Sequence, residues 1–257
     1  DLRRCMTAHW EAQADPGNHP AACSFCACAV ESRDLSPPFA LEAELPPAFL
    51  DRPIAHRALH DKSQGRPENS VEAIRAAVEA GYGIEIDLQL SSDGEAMVFH
   101  DYDLARLTAV EGPVRARSAA ELGAIPLRYG AAGIPTLAEV LALVAGRVPL
   151  LIEVKDQDGG MGPDVGSLER RAAELLAGYD GPVALMSFNP HSVAALARLA
   201  PDLPRGLTTC GYTADDYPTL PPATRERLRG IPDFDRTGAS FISHHWRDLG
   251  SPRVAGL

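Results

Sequence analysis

Residues 53–101 read PIAHRALHDKSQGRPENSVEAIRAAVEAGYGIEIDLQLSSDGEAMVFHD. Short apolar segments flank a helical pattern here, and many of the polar residues stand where they could do chemistry. His56 and Arg57 close a first strand that begins at Ile54, and His100 closes a third. Between them, Glu85 and Asp87 occupy alternate positions of a second strand. Strand side chains alternate between faces, so the two carboxylates share one face while Ile84, Ile86, Leu88 and Leu90 take the other. Two acids side by side on an apolar strand repel each other and lose hydration unless a cation or a proton compensates. The intervening helix carries its own boundaries. Asn69 with Glu72 makes a capping-box pattern, Val71, Ile74 and Val78 mark one apolar face, and Gly81 stops it.

The same alternation continues downstream. Strands are expected at Ile54–Arg57, Ile84–Leu90, Met97–His100, Leu150–Lys155, Val183–Phe188, Gly206–Thr209 and Phe241–Ser243. Ser118 with Glu121 and Thr136 with Glu139 repeat the capping device before two further helices. Met97–His100 follows the second strand after a short Ser-Ser-Asp-Gly turn, which suits a hairpin arm rather than a full strand-helix unit. Repeated strand-helix units specify an α/β fold with parallel strands, in which function collects at the carboxyl ends. His56, Arg57, Glu85, Asp87, Glu153 and Lys155 sit at or near such ends on several strands, which favours a (β/α)8 TIM barrel. No glycine-rich G-x-G-x-x-G loop follows a strand, which counts against a dinucleotide fold.

Outside this region the sequence changes character. Residues 1–45 show no sustained period and carry scattered Pro, Gly and Cys, so they are expected to be a poorly ordered or extraneous extension of the barrel domain, residues 46–257. Cys23, Cys26 and Cys28, with Cys5, His9 and His19 nearby, have the spacing of a zinc knuckle, but no second pair stands at finger spacing. The remaining chain has only Cys210, as expected for a reducing compartment. The chain has 257 residues and a net charge of −11, which argues against nucleic-acid binding. Its best apolar stretch, Leu137 to Ile152, is interrupted by Glu139, Arg147 and Pro149, so no membrane span is expected. No signal peptide stands out, and a cytoplasmic location is the expectation, although the chain begins with Asp1 rather than Met.

Glu153 and Lys155 share one face of LLIEVKD, so Glu153 can join Glu85 and Asp87 as a third inward carboxylate. Three oxygen donors without a thiolate suit a hard cation such as Ca²⁺ or Mg²⁺. Arg57 and Lys155 supply fixed positive charge for phosphate oxygens. His56 and His100 can exchange protons near neutral pH. Together these groups describe metal-assisted phosphodiester cleavage by general acid-base catalysis. Each is commonplace by itself: a strand-end histidine is more often structural, and Glu-x-Asp is usually an exposed or ion-paired face. Joint placement raises the functional reading. Structural or loop roles are favoured for His244, His245 and Trp246, a helix start for His191, and solvent exposure for His60 and Asp61. Glu68 either caps a helix or braces the site.

The ordered set AHRA, RPENS, GYGIEIDLQLSSDGEAMVFHDYDLARLT, IPTLAEVL, LLIEVKD and MSFNP resembles the glycerophosphodiester phosphodiesterase family over roughly residues 52–250. The resemblance implies a TIM barrel and hydrolysis of a small glycerophosphodiester to glycerol 3-phosphate and an alcohol, with Ca²⁺ or Mg²⁺, in glycerol and lipid metabolism. It also implies His56 and His100 as the acid-base pair, Arg57 and Lys155 on the phosphate, Glu85, Asp87 and Glu153 on the metal, and Phe188 at the substrate mouth. Two departures stand out. Ala58 replaces the family's glycine, which is tolerable if the backbone there does not need a positive φ. The chain also stops after SFISHHWRDLGSPRVAGL, so the barrel is expected to be truncated, with six strands and the last two absent. A lysophospholipase D-like activity and a non-catalytic truncated barrel are the alternatives.

Overall fold

The computed structural model describes residues 43–257 together with the backbone of the strand Phe25–Ala29. The cysteine cluster's side chains, with His9 and His19, lie outside the described residues. The strands are β1 (Phe25–Ala29), β2 (Ile54–Ala55), β3 (Gly83–Leu90), β4 (Ala96–Val98), β5 (Leu150–Val154), β6 (Val183–Ser187), β7 (Arg205–Thr209) and β8 (Phe241–His245). The helices are α1 (Ala48–Asp51), α2 (Val71–Ala80), α3 (Ala119–Gly123), α4 (Leu137–Val144), α5 (Ser167–Leu176), α6 (Pro190–Leu199), α7 (Pro222–Arg229) and α8 (Pro252–Ala255).

One curled sheet runs in the order β1-β8-β7-β6-β5-β3-β2, with β4 attached to β3. Strands β2, β3, β5, β6, β7 and β8 are parallel, whereas β4 pairs antiparallel with β3 as the expected hairpin arm. The result is a parallel half-barrel whose two edge strands, β1 and β2, are not neighbours. Within the 1–45 segment, where no regular structure was expected, Phe25–Ala29 pairs antiparallel with β8 from Phe25↔His245 to Ala29↔Phe241. This strand covers backbone groups of β8 that would otherwise form an open edge. Among the described residues, no helix is long and apolar enough to cross a membrane.

Two apolar layers hold the sheet. On its outer face, Ile84, Ile86 and Leu88 of β3 and Ile152 and Val154 of β5 are buried against Ile74 and Val78 of α2, Val140 and Val144 of α4, and Leu168 of α5. Inside the curl, Leu151, Ala184, Met186 and Phe241 pack against Phe49 of α1 and form an apolar plug. Gly206 is required there: a Cβ on it would meet the Phe241 ring at 2.3 Å. Inward positions further along β3 and β5 are Glu85, Asp87 and Glu153, so the polar layer rests directly on the plug.

The capping boxes at Ser118/Glu121 and Thr136/Glu139 form as expected, and Gly81 closes α2 with φ +71°. Asn69 departs from expectation. Ser70 caps α2 by accepting from the Ala73 N–H, while Asn69 sits at φ +57° with its side chain turned elsewhere. The first strand is also shorter than expected. It ends at Ala55, and His56 and Arg57 lie in the turn that follows. That turn bends through two left-handed residues, Arg57 at φ +53° and Ala58 at φ +65°. The condition for a harmless Ala58 therefore fails, because this position does carry a positive φ, which favours glycine.

Candidate active site

The carboxyl ends of β2, β3 and β5 and the turn after β4 gather most of the expected residues. Asp87 and Glu153 are directly paired in the β3–β5 register. Like charges in that relation repel, and Lys155 answers the repulsion. Its Nζ lies 2.7 Å from Asp87 Oδ1 and 2.7 Å from Glu153 Oε1. Glu85 sits one pleat below Asp87 and accepts the Arg57 backbone N–H through Oε2 at 2.7 Å. His56 Nε2 stands 4.0 Å from the same oxygen. Arg57 Nε is 3.7 Å from Asp87 Oδ2. Each of Glu85, Asp87 and Glu153 offers an oxygen within 4.8 Å of the others, and all three are buried.

The electrostatics follow from that burial. Desolvation, with Asp87 and Glu153 beside it, pushes the Glu85 carboxyl well above its ordinary range. Desolvation acts on Asp87 too, but Lys155, His100 and Arg57 outweigh it and hold Asp87 below the usual range. For Lys155, burial disfavours the ammonium, yet Asp87 and Glu153 overcome that and raise its pKa. Burial, reinforced by the Arg57 charge, pushes the His56 imidazole down to about 3 and so keeps it neutral near pH 7. Three carboxylates against Lys155 and Arg57 leave the layer one positive charge short, and Arg57 is shared with Glu68 at 2.8 Å. Glu85 is where the shortfall shows, and it resolves by binding either a proton or a cation. An all-oxygen donor set of this size fits a hard divalent ion.

A hydrogen-bonded frame surrounds these groups. Asn69 Nδ2 donates to Asp87 Oδ2 at 2.8 Å, and the Asp87 N–H donates to Asn69 Oδ1 at 3.3 Å. His100 Nδ1 lies 2.6 Å from Asp101 Oδ1. Gln89, one pleat above Asp87, donates to the His100 carbonyl at 3.1 Å, and Gln157 donates to the Lys155 carbonyl at 2.7 Å and to Gln89 Oε1 at 3.1 Å. These two glutamines border a cavity of about 280 Å³ that is also lined by Tyr102, Val114, Arg115 and Asp158. At the end of β6, Asn189 donates to Asp156 Oδ1 at 2.7 Å and to the Gly162 carbonyl at 2.8 Å, fixing the loop after β5.

Phe188 does not touch the carboxylate layer through any of these bonds. It packs edge-on to Tyr212, with ring centroids 6.3 Å apart, and at 6.2 Å from Tyr217. Tyr212 and Tyr217 are themselves 5.1 Å apart between ring centroids, so the three rings form one aromatic cluster. Of the residues given structural roles, His191 lies at the start of α6 and its N–H is capped by Asn189. His244 is buried within β8 itself, between Thr209 Oγ1 at 2.7 Å and Asp248 Oδ2 at 3.2 Å. Glu68 is no helix cap: it binds Arg57 and Arg106. The sequence marks Asn69 only as a helix cap, not as a partner of Asp87, and it does not single out Asp101 or Arg106. Asp101 adjoins His100, and that adjacency is the signal that could have found it.

A parallel half-barrel with histidines, fixed cations and three buried acids at its strand ends has the arrangement of a phosphoric diester hydrolase. The chain belongs to the glycerophosphoryl diester phosphodiesterase family, whose model matches residues 56–229. A glycerophosphodiester phosphodiesterase of Caldanaerobacter subterraneus subsp. tengcongensis is 32% identical over 169 residues, covering 62% of this chain and 67% of that one. A phosphodiesterase of Oleispira antarctica, solved in complex with the product sn-glycerol-3-phosphate, matches with a TM-score of 0.59 at 27% identity, over 75% of this chain and 74% of its own. A glycerophosphodiester phosphodiesterase of Agrobacterium tumefaciens str. C58 matches with a TM-score of 0.51 at 27% identity, over 61% and 66%.

Proposed function

We propose that this chain hydrolyses glycerophosphodiesters to sn-glycerol 3-phosphate and an alcohol, with a divalent cation and the His56/His100 pair. The observation that carries the reading is the buried Glu85–Asp87–Glu153 layer, short of one positive charge beside two histidines and two fixed cations. The product bound in the Oleispira antarctica neighbour supports the choice of substrate. We take the half-barrel to be part of a (β/α)8 barrel, and its strand ends to be the active face.

Glu85, Asp87 and Glu153 would hold the cation, and Ca²⁺ and Mg²⁺ both accept such donors. Bound there, it supplies Lewis-acid stabilisation of charge on the phosphoryl oxygens. Arg57 and Lys155 neutralise the same oxygens from the protein side. One histidine takes a proton from the nucleophile, either water or the glycerol hydroxyl next to the phosphate. The other histidine gives a proton to the departing alkoxide, so the P–O bond to the alcohol breaks as the new P–O bond forms. Attack by the hydroxyl passes through a cyclic phosphate that water then opens. Phe188, with Tyr212 and Tyr217, forms the apolar wall of the mouth.

The test combines two readouts. Thermal melting with added Ca²⁺ or Mg²⁺ is expected to show stabilisation of the wild type that Glu85→Gln loses. Product analysis with glycerophosphocholine is expected to give sn-glycerol 3-phosphate and choline, with a cyclic phosphate appearing transiently only on the hydroxyl path. Release of phosphocholine instead would contradict the proposed cleavage.

A further inference from the structure

The turn bearing His56 and Arg57 and the turn bearing His100 are tied together by one guanidinium. Arg106, in the loop after β4, donates Nη1 and Nη2 to Glu68 Oε2 and Oε1 at 2.9 and 2.7 Å. The same group donates Nε and Nη2 to Asp101 Oδ2 and Oδ1 at 2.5 and 2.9 Å. Each carboxylate passes the contact inward. Asp101 Oδ1 meets His100 Nδ1 at 2.6 Å, and Glu68 Oε1 accepts from Arg57 Nη1 at 2.8 Å.

We infer that Arg106 is the positioning residue that holds His100 and Arg57 in register with each other. This rests on the proposed roles of those two residues in phosphodiester cleavage. A carboxylate against one imidazole nitrogen fixes the tautomer: Nδ1 carries the proton towards Asp101, which leaves Nε2 free for proton exchange in the pocket. Asp101 can do this only if its own carboxylate is held, and Arg106 holds both of its oxygens. The second half of the fork does the same for Glu68, which fixes Arg57. A planar guanidinium can engage both oxygens of each of two carboxylates and so fix their orientation, whereas a lysine ammonium makes only point contacts and leaves each carboxylate free to turn. Arg106 is itself 43% exposed, so as an ordinary surface ion pair it would contribute little. A positioning role and a merely structural one therefore predict different outcomes.

The test uses the full chain with Arg106→Met and Arg106→Lys. Arg171→Met, which removes the surface pairs to Glu95 and Glu174, is the control. Steady-state kinetics on glycerophosphocholine are expected to show kcat about 10- to 100-fold lower in Arg106→Met. Arg106→Lys recovers only part of the loss, and Arg171→Met matches the wild type. Nitrogen-15 spectra of the histidine rings, recorded without substrate, are expected to show His100 as a single Nδ1-protonated tautomer in the wild type and a mixture in Arg106→Met. An unchanged His100 tautomer in a folded Arg106→Met protein overturns the inference. If the wild type itself releases no glycerol 3-phosphate, the hydrolase reading fails instead, and the tautomer comparison still decides the role of Arg106.

Discussion

Asn69 and Asp87 are bonded to each other twice, the amide donating to the carboxylate at 2.8 Å and the Asp87 N–H donating back at 3.3 Å. This pair joins the start of α2 to the middle of β3 and fixes the carboxylate that faces Arg57 and Lys155. Asn69 is fully buried at φ +57°. Asn69→Gly keeps that backbone unstrained and removes only the side-chain bonds, so it is expected to cost about 2 kcal/mol. Asn69→Ala adds left-handed strain and is expected to cost about 3 kcal/mol. Denaturant unfolding measures both, and wild-type stability in either variant would show that the pair is dispensable.

Ala58 carries opposing effects. A left-handed alanine is strained by about 1–2 kcal/mol, while its buried methyl contributes about 0.8 kcal/mol. Glycine would also lose about 0.5–1 kcal/mol through its freer unfolded chain. These nearly cancel, so Ala58→Gly is expected to change stability by less than about 1 kcal/mol. Ala58→Val has no such compensation, because a β-branched side chain suits this φ poorly and the site is full. Equal melting temperatures for Ala58→Val and the wild type would contradict this account of the turn.

Lys155 is the counter-charge of the Asp87–Glu153 pair. Removing it in Lys155→Met leaves two facing carboxylates in the interior and is expected to destabilise the fold by about 3–5 kcal/mol. Added Ca²⁺ or Mg²⁺ is then expected to raise the melting temperature of the variant more than that of the wild type. An equal response in both proteins would mean that the Lys155 ammonium does not compete with the cation for these carboxylates.

Glu68 makes part of the stability pH-dependent. Burial opposes its ionisation, but the Arg106 and Arg57 contacts prevail and hold it at about 2, below its ordinary 4.5. A carboxyl with a folded pKa below its unfolded one binds fewer protons when folded. Its stabilisation is therefore complete above about pH 4.5 and is lost as the pH falls towards about 2. Glu68→Gln is expected to flatten the stability profile across that window, which unfolding curves at stepped pH would measure. An unaltered slope would show that other acids account for it.

The period-two pattern of GIEIDLQL was enough to put Glu85 and Asp87 on one face, and the burial of Ile84, Ile86 and Leu88 against helices agrees. Local rules failed where two neighbours competed for one role. Asn69 and Ser70 can both cap α2, and only the distant Asp87 decides that Ser70 does so. Periodicity extends the first strand through His56 and Arg57 because it does not register a left-handed bend. The Arg106–Glu68–Asp101 frame joins residues up to 38 positions apart, which no local pattern encodes. Phe25–Ala29 carries too little alternation to announce a strand, and its partner Phe241–His245 lies at the far end of the sequence.

The central claim is that the carboxylate layer binds a divalent cation needed for phosphodiester hydrolysis with the histidine pair. The most direct measurement is sn-glycerol 3-phosphate release from glycerophosphocholine by wild type and His56→Ala, with and without EDTA. The account predicts activity that EDTA abolishes, that Ca²⁺ or Mg²⁺ restores, and that His56→Ala lacks. Activity indifferent to both chelation and His56→Ala would contradict it.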